Sequence, residues 1–330
     1  MDVRFWCVNE QQPGPRYREH LVRQWPRYAD WYFAEAQGVR PPATICQQAV
    51  ARDMPELVPW LNRLQAFLPE QHEKLTAFLS LYRPPAFLTG CSQVALGPRG
   101  APEHGTHLIR NYDYSPDRFE ATVMRTHWLQ PVLCVTDCIW GALDGINGAG
   151  LAVSLAFGGG DQVDDGFGIP VVVRYLLETC HNVAEAVAAT ARLPSHMNYN
   201  LTFADTTGAT QTLYVGAGSR PPRRAPRPLA TNHQDGLHRR PYHQAVASYE
   251  REMFLANRLR DPRERAADMT RHFLGPPLYH RRYREGFGTL YTAAYHCEAG
   301  SLTLHWPGGN KTLSVEGIDN ETFTIRLDPL

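Results

Sequence analysis

The stretch Leu88-Thr89-Gly90-Cys91-Ser92-Gln93, followed by Arg110-Asn111-Tyr112-Asp113-Tyr114, marks the place where this chain changes character. Upstream of it, apolar residues fall at helical spacing: Leu21, Trp25, Tyr28, Trp31 and Tyr32, then Leu57, Trp60, Leu61, Leu64, Phe67 and Leu68. Recurrence at three and four places such residues on one stripe of a helix. Pro41-Pro42 and Pro84-Pro85 interrupt the run, because a residue preceding proline is pushed out of the helical region. Residues 1–85 read as three or four helices with no strand.

Downstream, β-branched and aromatic residues with partial alternation predict strands over 86–96, 106–114, 119–127 and 132–143. Asn147-Gly148, set between 140–143 and 151–157, predicts a tight hairpin, since both turn residues tolerate positive φ. Two helices follow, over 170–180 and 183–193, the second opened by Asn182 with Glu185 in a capping arrangement. Strands return at 199–204 and 211–215. The segment 216–228 has no apolar period, and its Arg220, Arg223, Arg224 and Arg227 read as a solvated loop. Helices over 242–258 and 262–273, strands over 289–296 and 301–305, and a ribbon over 322–327 complete the chain. This order is not the strict βαβ alternation of a doubly wound sheet; it suits a β-rich sandwich with helices outside.

Composition narrows the class. With 33 basic and 33 acidic residues the formal charge is zero, which argues against nucleic acid or an anionic membrane as partner. Apolar residues at 43% supply a large core and exclude a disordered chain. The N-terminus MDVRFWCVNE has no apolar run of the secretory type, and the uncharged stretch 145–160 is too short to span a bilayer. Seven cysteines, an odd number without a tight framework, read as reduced thiols, and the expected compartment is the cytoplasm.

Most standard catalytic signatures are missing: the chain has no GxSxG, no P-loop and no HExxH. Gly145, Gly148 and Gly150 are in the wrong order for a dinucleotide fingerprint. Cys134 and Cys138 are spaced CxxxC and would share one face of a strand, and His104 and His107 are spaced HxxH. Neither pair has a complement elsewhere that would complete a zinc set, so the cysteines read as core residues and no metal is expected. What stands out is Cys91 directly after a glycine, with a charged pair, Arg110 and Asp113, inside an otherwise β-like run. The polar Thr231-Asn232-His233-Gln234 lies further along.

Taken together, these residues resemble the cysteine N-terminal-nucleophile (Ntn) hydrolases, in the group containing isopenicillin N acyltransferase and, more distantly, penicillin V acylase and choloylglycine hydrolase. The resemblance is carried by Thr89-Gly90-Cys91-Ser92, Arg110 to Tyr114, Gly145 to Ser154, Asn198 to Thr202, Asp205, Thr231-Asn232-His233, Leu290 to Tyr295 and Trp306-Pro307-Gly308, in family order over 91–330. It implies an α+β fold, a four-layer αββα sandwich, with residues 1–90 as a helical pro-segment or α chain and 91–330 as the catalytic β chain. It implies self-cleavage between Gly90 and Cys91, with Cys91 as nucleophile and its freed α-amine as base. Arg110 and Asp113 would flank the thiolate and hold the amine, and Asn232 would donate to the oxyanion or orient the amine. Asn111, Tyr112, Phe157, Asn200 and Arg251 are the expected substrate contacts, although Arg251 in Ser248-Tyr249-Glu250-Arg251 reads more readily as a surface ion pair than as a residue facing the site.

The chemistry is sound for these residue types. A thiol titrates at about 8.5 and an α-amine at about 7.7–8.0, so the two can exchange a proton near neutrality. A nearby guanidinium favours the thiolate. The expected reaction is cleavage or formation of a linear amide through an acyl-Cys91 thioester, by hydrolysis or by acyl transfer. Its partners would be a small amide or acyl thioester, with acyl-CoA as a donor it could use, and the chain's own N-terminal fragment; a homo-oligomer is compatible with it. One departure is visible: choloylglycine hydrolases carry an asparagine where this chain has Ser154 to Phe157, which points to the acyltransferase branch. If Gly90–Cys91 stays intact, His104, His107 or His233 would have to serve as base. The alternative from another class is an unprocessed, non-catalytic scaffold.

Overall fold

The computed structural model describes residues 1–330 apart from 35–37, 87–88, 99–103, 236–239 and 328–330. Residues 87–88 of the expected 86–96 strand thus lie outside the described residues, and the strand itself begins at Gly90. The chain begins with strand β1 (Asp2–Asn9), then helices α1 (Pro15–Tyr32), α2 (Ala43–Asp53), α3 (Val58–Gln65) and α4 (His72–Ser80). Strands β2 (Gly90–Leu96), β3 (His107–Tyr114), β4 (Thr122–His127), β5 (Pro131–Asp137), β6 (Gly141–Asn147) and β7 (Ala152–Phe157) follow. After helices α5 (Ile169–Thr179) and α6 (Val183–Thr190) come β8 (Tyr199–Ala204), β9 (Thr210–Val215), β10 (Arg223–Arg224) and β11 (Leu229–Ala230). Helices α7 (Arg240–Ala245), α8 (Ser248–Arg260) and α9 (Ala266–Phe273) precede β12 (Gly288–His296), β13 (Ser301–Trp306), β14 (Gly309–Ser314) and β15 (Thr322–Arg326).

Among the described residues these strands form two sheets, ordered β10-β9-β8-β7-β6-β5-β4-β1-β15 and β11-β2-β3-β12-β13-β14. Strands β2 and β3 face β7 and β8 across the sandwich; α5 covers β5 to β7, while α8 and α9 cover β2, β3 and β12. This is the expected αββα layering. Alternation sorts β2 between the layers: Cys91 and Ala95 join the core between the sheets, while Val94 and Leu96 join a second core with Leu255, Met269 and Phe273 of α8 and α9. Period two thereby assigns Cys91 to the inner face, and the chemistry depends on that assignment.

The sequence reading needs several corrections. Residues 1–85 do contain a strand: β1 runs parallel to β4 and antiparallel to the edge strand β15 of the large sheet. Its inward Val3, Phe5 and Cys7 show period-two alternation that was present in the sequence. The expected 132–143 strand is two strands, β5 and β6, joined by a turn at Cys138 (φ 56) and Ile139 (φ 73). Cys138 therefore does not share a strand face with Cys134. The loop at 216–228 contributes β10 to the sheet edge, and β14 was not foreseen. Ala247, at φ 48, breaks the expected 242–258 helix into α7 and α8, and α9 starts at Ala266, later than expected. A hairpin does join β6 to β7, closed by Asn147 N–H to Leu151 C=O at 3.1 Å, but Asn147 is the last residue of β6 and the left-handed residue of the turn is Gly150 (φ 80), not the Asn147-Gly148 pair.

A β-branched residue at positive φ is unfavourable, so the 138–139 turn must be held by its surroundings. The N-terminal segment does this. Tyr28 Oη accepts the Cys138 N–H at 2.8 Å, and Glu120 accepts the Ile139 N–H at 2.9 Å. Tyr28 also lies 2.7 Å from Glu120 and 2.6 Å from Asp137. Burial opposes the Glu120 charge, but His20, Thr136 and the Ile139 N–H outweigh it and hold the carboxyl down to about 2. Asp137 is pushed up to about 6 by burial and by Glu120. The signs differ: the Glu120 contribution to stability is lost as pH falls through about 2, whereas that of Asp137 is lost as pH rises through about 6. Tyr28→Phe strips a hydroxyl from two carboxyl groups and a buried N–H, and should cost about 1–3 kcal/mol in urea unfolding at neutral pH.

Candidate active site

Strands β2 and β3 pair antiparallel with Cys91 opposite Tyr112, Gln93 opposite Arg110 and Gly90 opposite Asp113. Cys91 and Arg110 therefore share the inner face, one rung apart on the diagonal, within reach of a long side chain. Arg110 Nη2 lies 3.0 Å from Cys91 Sγ, and Thr89 Oγ1 lies 3.8 Å from it. Both Cys91 and Arg110 are fully buried. Burial pushes the thiol up from its ordinary range, and the Arg110 guanidinium acts against that rise.

A buried guanidinium needs a counter-charge, and β6 supplies it. Arg110 Nη1 contacts Asp144 at 2.5 Å; Tyr291 Oη–H donates to the same carboxylate at 2.6 Å, and Tyr295 Oη–H donates to its other oxygen. Desolvation works against the Arg110 charge, but Tyr291, Cys91 and Asp144 outweigh it, so the arginine stays cationic. The sulfur thus sits at the end of a chain of charge running from the large sheet through Arg110. Sequence reading missed Asp144. The signal was available: a carboxylate inside the apolar strand Ala142-Leu143-Asp144-Gly145-Ile146 is the same kind of anomaly that marked Arg110.

The backbone of Cys91 is clamped from the other side. Its N–H donates to Asn232 Oδ1 at 2.9 Å, and its C=O accepts from Arg251 Nη1 at 2.5 Å. Arg251 also donates to Ser92 Oγ at 2.8 Å and to Asn232 Oδ1 at 2.7 Å. It is wholly buried, which corrects its reading as a surface ion pair; the 3.6-residue period of α8 turns it toward β2 while Glu250 faces outward. Asn232 Nδ2 donates to Thr89 C=O and Phe157 C=O, each at 3.2 Å. Gly90 has no room for a side chain, since a Cβ there would lie 2.6 Å from Phe287 and 2.9 Å from Asp113 Cβ.

Asp113 is on the outer face. Its Oδ1 accepts from Thr289 Oγ1 at 2.6 Å, and its Oδ2 lies 3.7 Å from Arg251 Nη1. It flanks the Gly90 side of the junction and does not share the inner face with the sulfur. Of the expected substrate contacts, Tyr112 packs beside Arg110, whose guanidinium carbon is 4.9 Å from the ring centroid. Phe157 packs on Tyr199 and Tyr242. Asn111 faces outward, where its amide donates to Phe273 C=O and Leu278 C=O at 2.8 and 2.9 Å. Asn200 donates to Thr231 C=O and His233 C=O at 2.9 and 3.1 Å and so fixes the segment carrying Asn232. These two amides have their donors committed to the backbone.

The alternative bases are engaged elsewhere. His233 bonds Ser248 and Glu252, each at 2.8 Å, His107 stacks on His296, and His104 contacts Arg265. Ser154 donates to Gln93 Oε1 at 2.8 Å, and Gln93 in turn donates to Asn200 C=O, joining the two sheets beside the site. Cys134 is the nearest comparison to Cys91: its sulfur is 3.6 Å from Arg174, but burial pushes that thiol up to about 11. Among the described residues no cluster of His, Cys, Asp or Glu could hold a metal, and no helix is long and apolar enough to cross a membrane.

With this geometry in hand, the relatives can be placed. The acyl-coenzyme A:6-aminopenicillanic acid acyl-transferase family profile matches residues 101–311, well over half of the chain, including Arg110, Asp113, Asn232 and Arg251 but starting after Cys91. No curated protein matches the chain. Among solved structures, a mutant conjugated bile acid hydrolase from Clostridium perfringens is 13% identical over 72% of this chain and 97% of its own, with a TM-score of 0.49. Penicillin V acylase from Agrobacterium tumefaciens is 13% identical over 67% of this chain and 84% of its own, with a TM-score of 0.43. The chain belongs to the acyl-coenzyme A:6-aminopenicillanic acid acyl-transferase family and is an amide hydrolase or N-acyltransferase of the Ntn type.

Proposed function

We propose that the chain cuts itself between Gly90 and Cys91 and then moves acyl groups through a Cys91 thioester. The observation that carries this reading is the 3.0 Å contact between Arg110 Nη2 and Cys91 Sγ, backed by Asp144. A fixed cation beside a thiol favours the thiolate, the form that attacks a carbonyl. Cys91 is the nucleophile, its freed α-amine takes the thiol proton, and Asp113 holds that amine. Asn232 gains a free donor when the segment carrying Thr89 departs, because one Nδ2–H now spent on Thr89 C=O becomes available to the oxyanion. A donor of that kind is typically worth about 10²–10³ in rate. In the uncut chain the thiol is buried and pushed up by that burial, which suits a closed precursor.

Water as acceptor makes the reaction hydrolysis; an amine makes it acyl transfer, with acyl-CoA as a donor the same thioester chemistry would accept. The test is a panel of acyl-CoA thioesters and N-acyl amides, followed by intact-mass analysis. An acyl increment on the fragment beginning at Cys91, absent in Cys91→Ala, is expected. A cleaved wild type that never carries an acyl increment and turns over none of the panel would overturn the reading in favour of a scaffold.

A further inference from the structure

The residue two places ahead of Cys91 lies against the sulfur. Thr89 Oγ1 is 3.8 Å from Cys91 Sγ, and the Thr89 C=O accepts two side-chain hydrogen bonds, from Asn232 Nδ2 at 3.2 Å and from Tyr242 Oη at 2.5 Å. Two donors from separate segments that converge on one carbonyl oxygen, beside a nucleophile, form the arrangement that stabilises an oxyanion. The oxygen they hold in the uncut chain belongs to Thr89, whereas the carbonyl attacked in self-cleavage is that of Gly90. Tyr242 has a single hydroxyl proton, and it goes to Thr89.

One residue orients both donors. Phe157 C=O also accepts from Asn232 Nδ2, at 3.2 Å, which fixes the amide plane and leaves its other hydrogen for the Thr89 oxygen. The Phe157 ring packs edge-on to the Tyr242 ring, with centroids 5.3 Å apart and planes at 76°. Strand β7 itself supplies no side-chain donor to this place: Ser154 donates to Gln93, and the other residues of Ala152–Phe157 are apolar. The Arg251 guanidinium, bonded to the Cys91 carbonyl, lies close to the same phenol. Burial lowers its pKa, while Asp113, Tyr242 and Cys91 act against that fall.

We propose that Tyr242 is a catalytic residue of the cleaved enzyme, whose hydroxyl, together with Asn232 Nδ2–H, holds the carbonyl oxygen of the substrate in the place that the Thr89 carbonyl fills in the uncut chain. This rests on the self-cleaving reading above, in which the fragment ending at Gly90 leaves and releases both donors. Cys91 Sγ adds to the substrate carbonyl carbon, and the π electron pair moves onto the oxygen. That oxygen takes both hydrogen bonds and neither proton. As the pair returns, the bond to the leaving amine or thiolate breaks, and an amine departs with the proton that the thiol lost. The contribution of the hydroxyl falls on substrate turnover and not on self-cleavage, because its proton is on Thr89 when Gly90 is attacked.

The test compares the wild type with Tyr242→Phe, which removes one oxygen atom and keeps the ring against Phe157. Intact mass follows self-cleavage, and 4-nitrophenyl acetate then reports acetylation of Cys91 through nitrophenolate release. Tyr242→Phe should cleave itself, show little change in KM, and acetylate about 10²–10³-fold more slowly. A cleaved Tyr242→Phe that acetylates at the wild-type rate overturns this inference alone and leaves the hydroxyl as a strap on the precursor. A folded variant that stays uncut also overturns it, since the hydroxyl would then act on the Gly90 carbonyl. A wild type that neither cleaves nor acetylates overturns the reading beneath it, and this inference with it. A measurement independent of the variant's folding is the infrared carbonyl band of isotope-labelled acetyl-Cys91 in the cleaved wild type. It should lie below the band of the same acetyl-enzyme unfolded in guanidinium, and a band that does not shift overturns the inference.

Discussion

Intact-mass spectrometry of the purified chain will show two species, residues 1–90 and 91–330, and Cys91→Ala will show one. The balance of the step is simple. Cys91 Sγ attacks the Gly90 carbonyl carbon, the C–N bond to Cys91 breaks as the C–S bond forms, and the thiol proton ends on the departing nitrogen. Water then splits the thioester, leaving the Gly90 carboxylate and restoring the thiol. The local structure favours this bond over its neighbours, because Gly90 and Cys91 are successive residues of one strand, clamped at Cys91 N–H by Asn232 and at Cys91 C=O by Arg251. The two fragments should co-purify, since β1 lies between β4 and β15 and Tyr28 is bonded to Glu120 and Asp137. An uncut wild type that still acylates at Cys91 would rule out the amine as base.

The second large effect is on Asp144, where one substitution will damage both stability and chemistry. Asp144→Ala leaves the buried Arg110 uncompensated and two tyrosine hydroxyls without their acceptor. Breaking a buried ion pair by removing one partner typically costs about 3–5 kcal/mol, which chemical unfolding will register directly. The double variant Arg110→Met/Asp144→Leu should recover much of that loss, since an apolar pair of similar size needs no desolvation to be offset. It should not recover cleavage, because the cation 3.0 Å from the sulfur has gone. Recovery of both would mean that Arg110 serves packing only.

These two predictions draw on different levels of legibility. Cys91, Arg110, Asp113 and Asn232 were visible because each is a polar or reactive residue in a run whose period says strand or junction. The helices α1 to α4, the existence of the β6–β7 hairpin and the switch to period two near residue 90 were visible for the same local reasons. The Cys138–Ile139 turn was not: it has no glycine, proline or asparagine, and its positive φ values are held by Tyr28 and Glu120, far away in sequence. Arg251 was misplaced because helical spacing says that a residue has a face but not what that face meets.

The chain order and residue pattern alone determined that a helical lead-in precedes a β-rich body, and that Cys91 stands at their junction, since propensity, periodicity and turn chemistry act over a few residues. Only the folded chain decided what surrounds the sulfur. Asp144 reaches Arg110 from the opposite sheet, Arg251 arrives from a helix on the outer layer, and Tyr242 comes to Thr89 from α7. Those distances depend on strand register and on how two sheets stack, and neither is fixed by any short stretch of sequence.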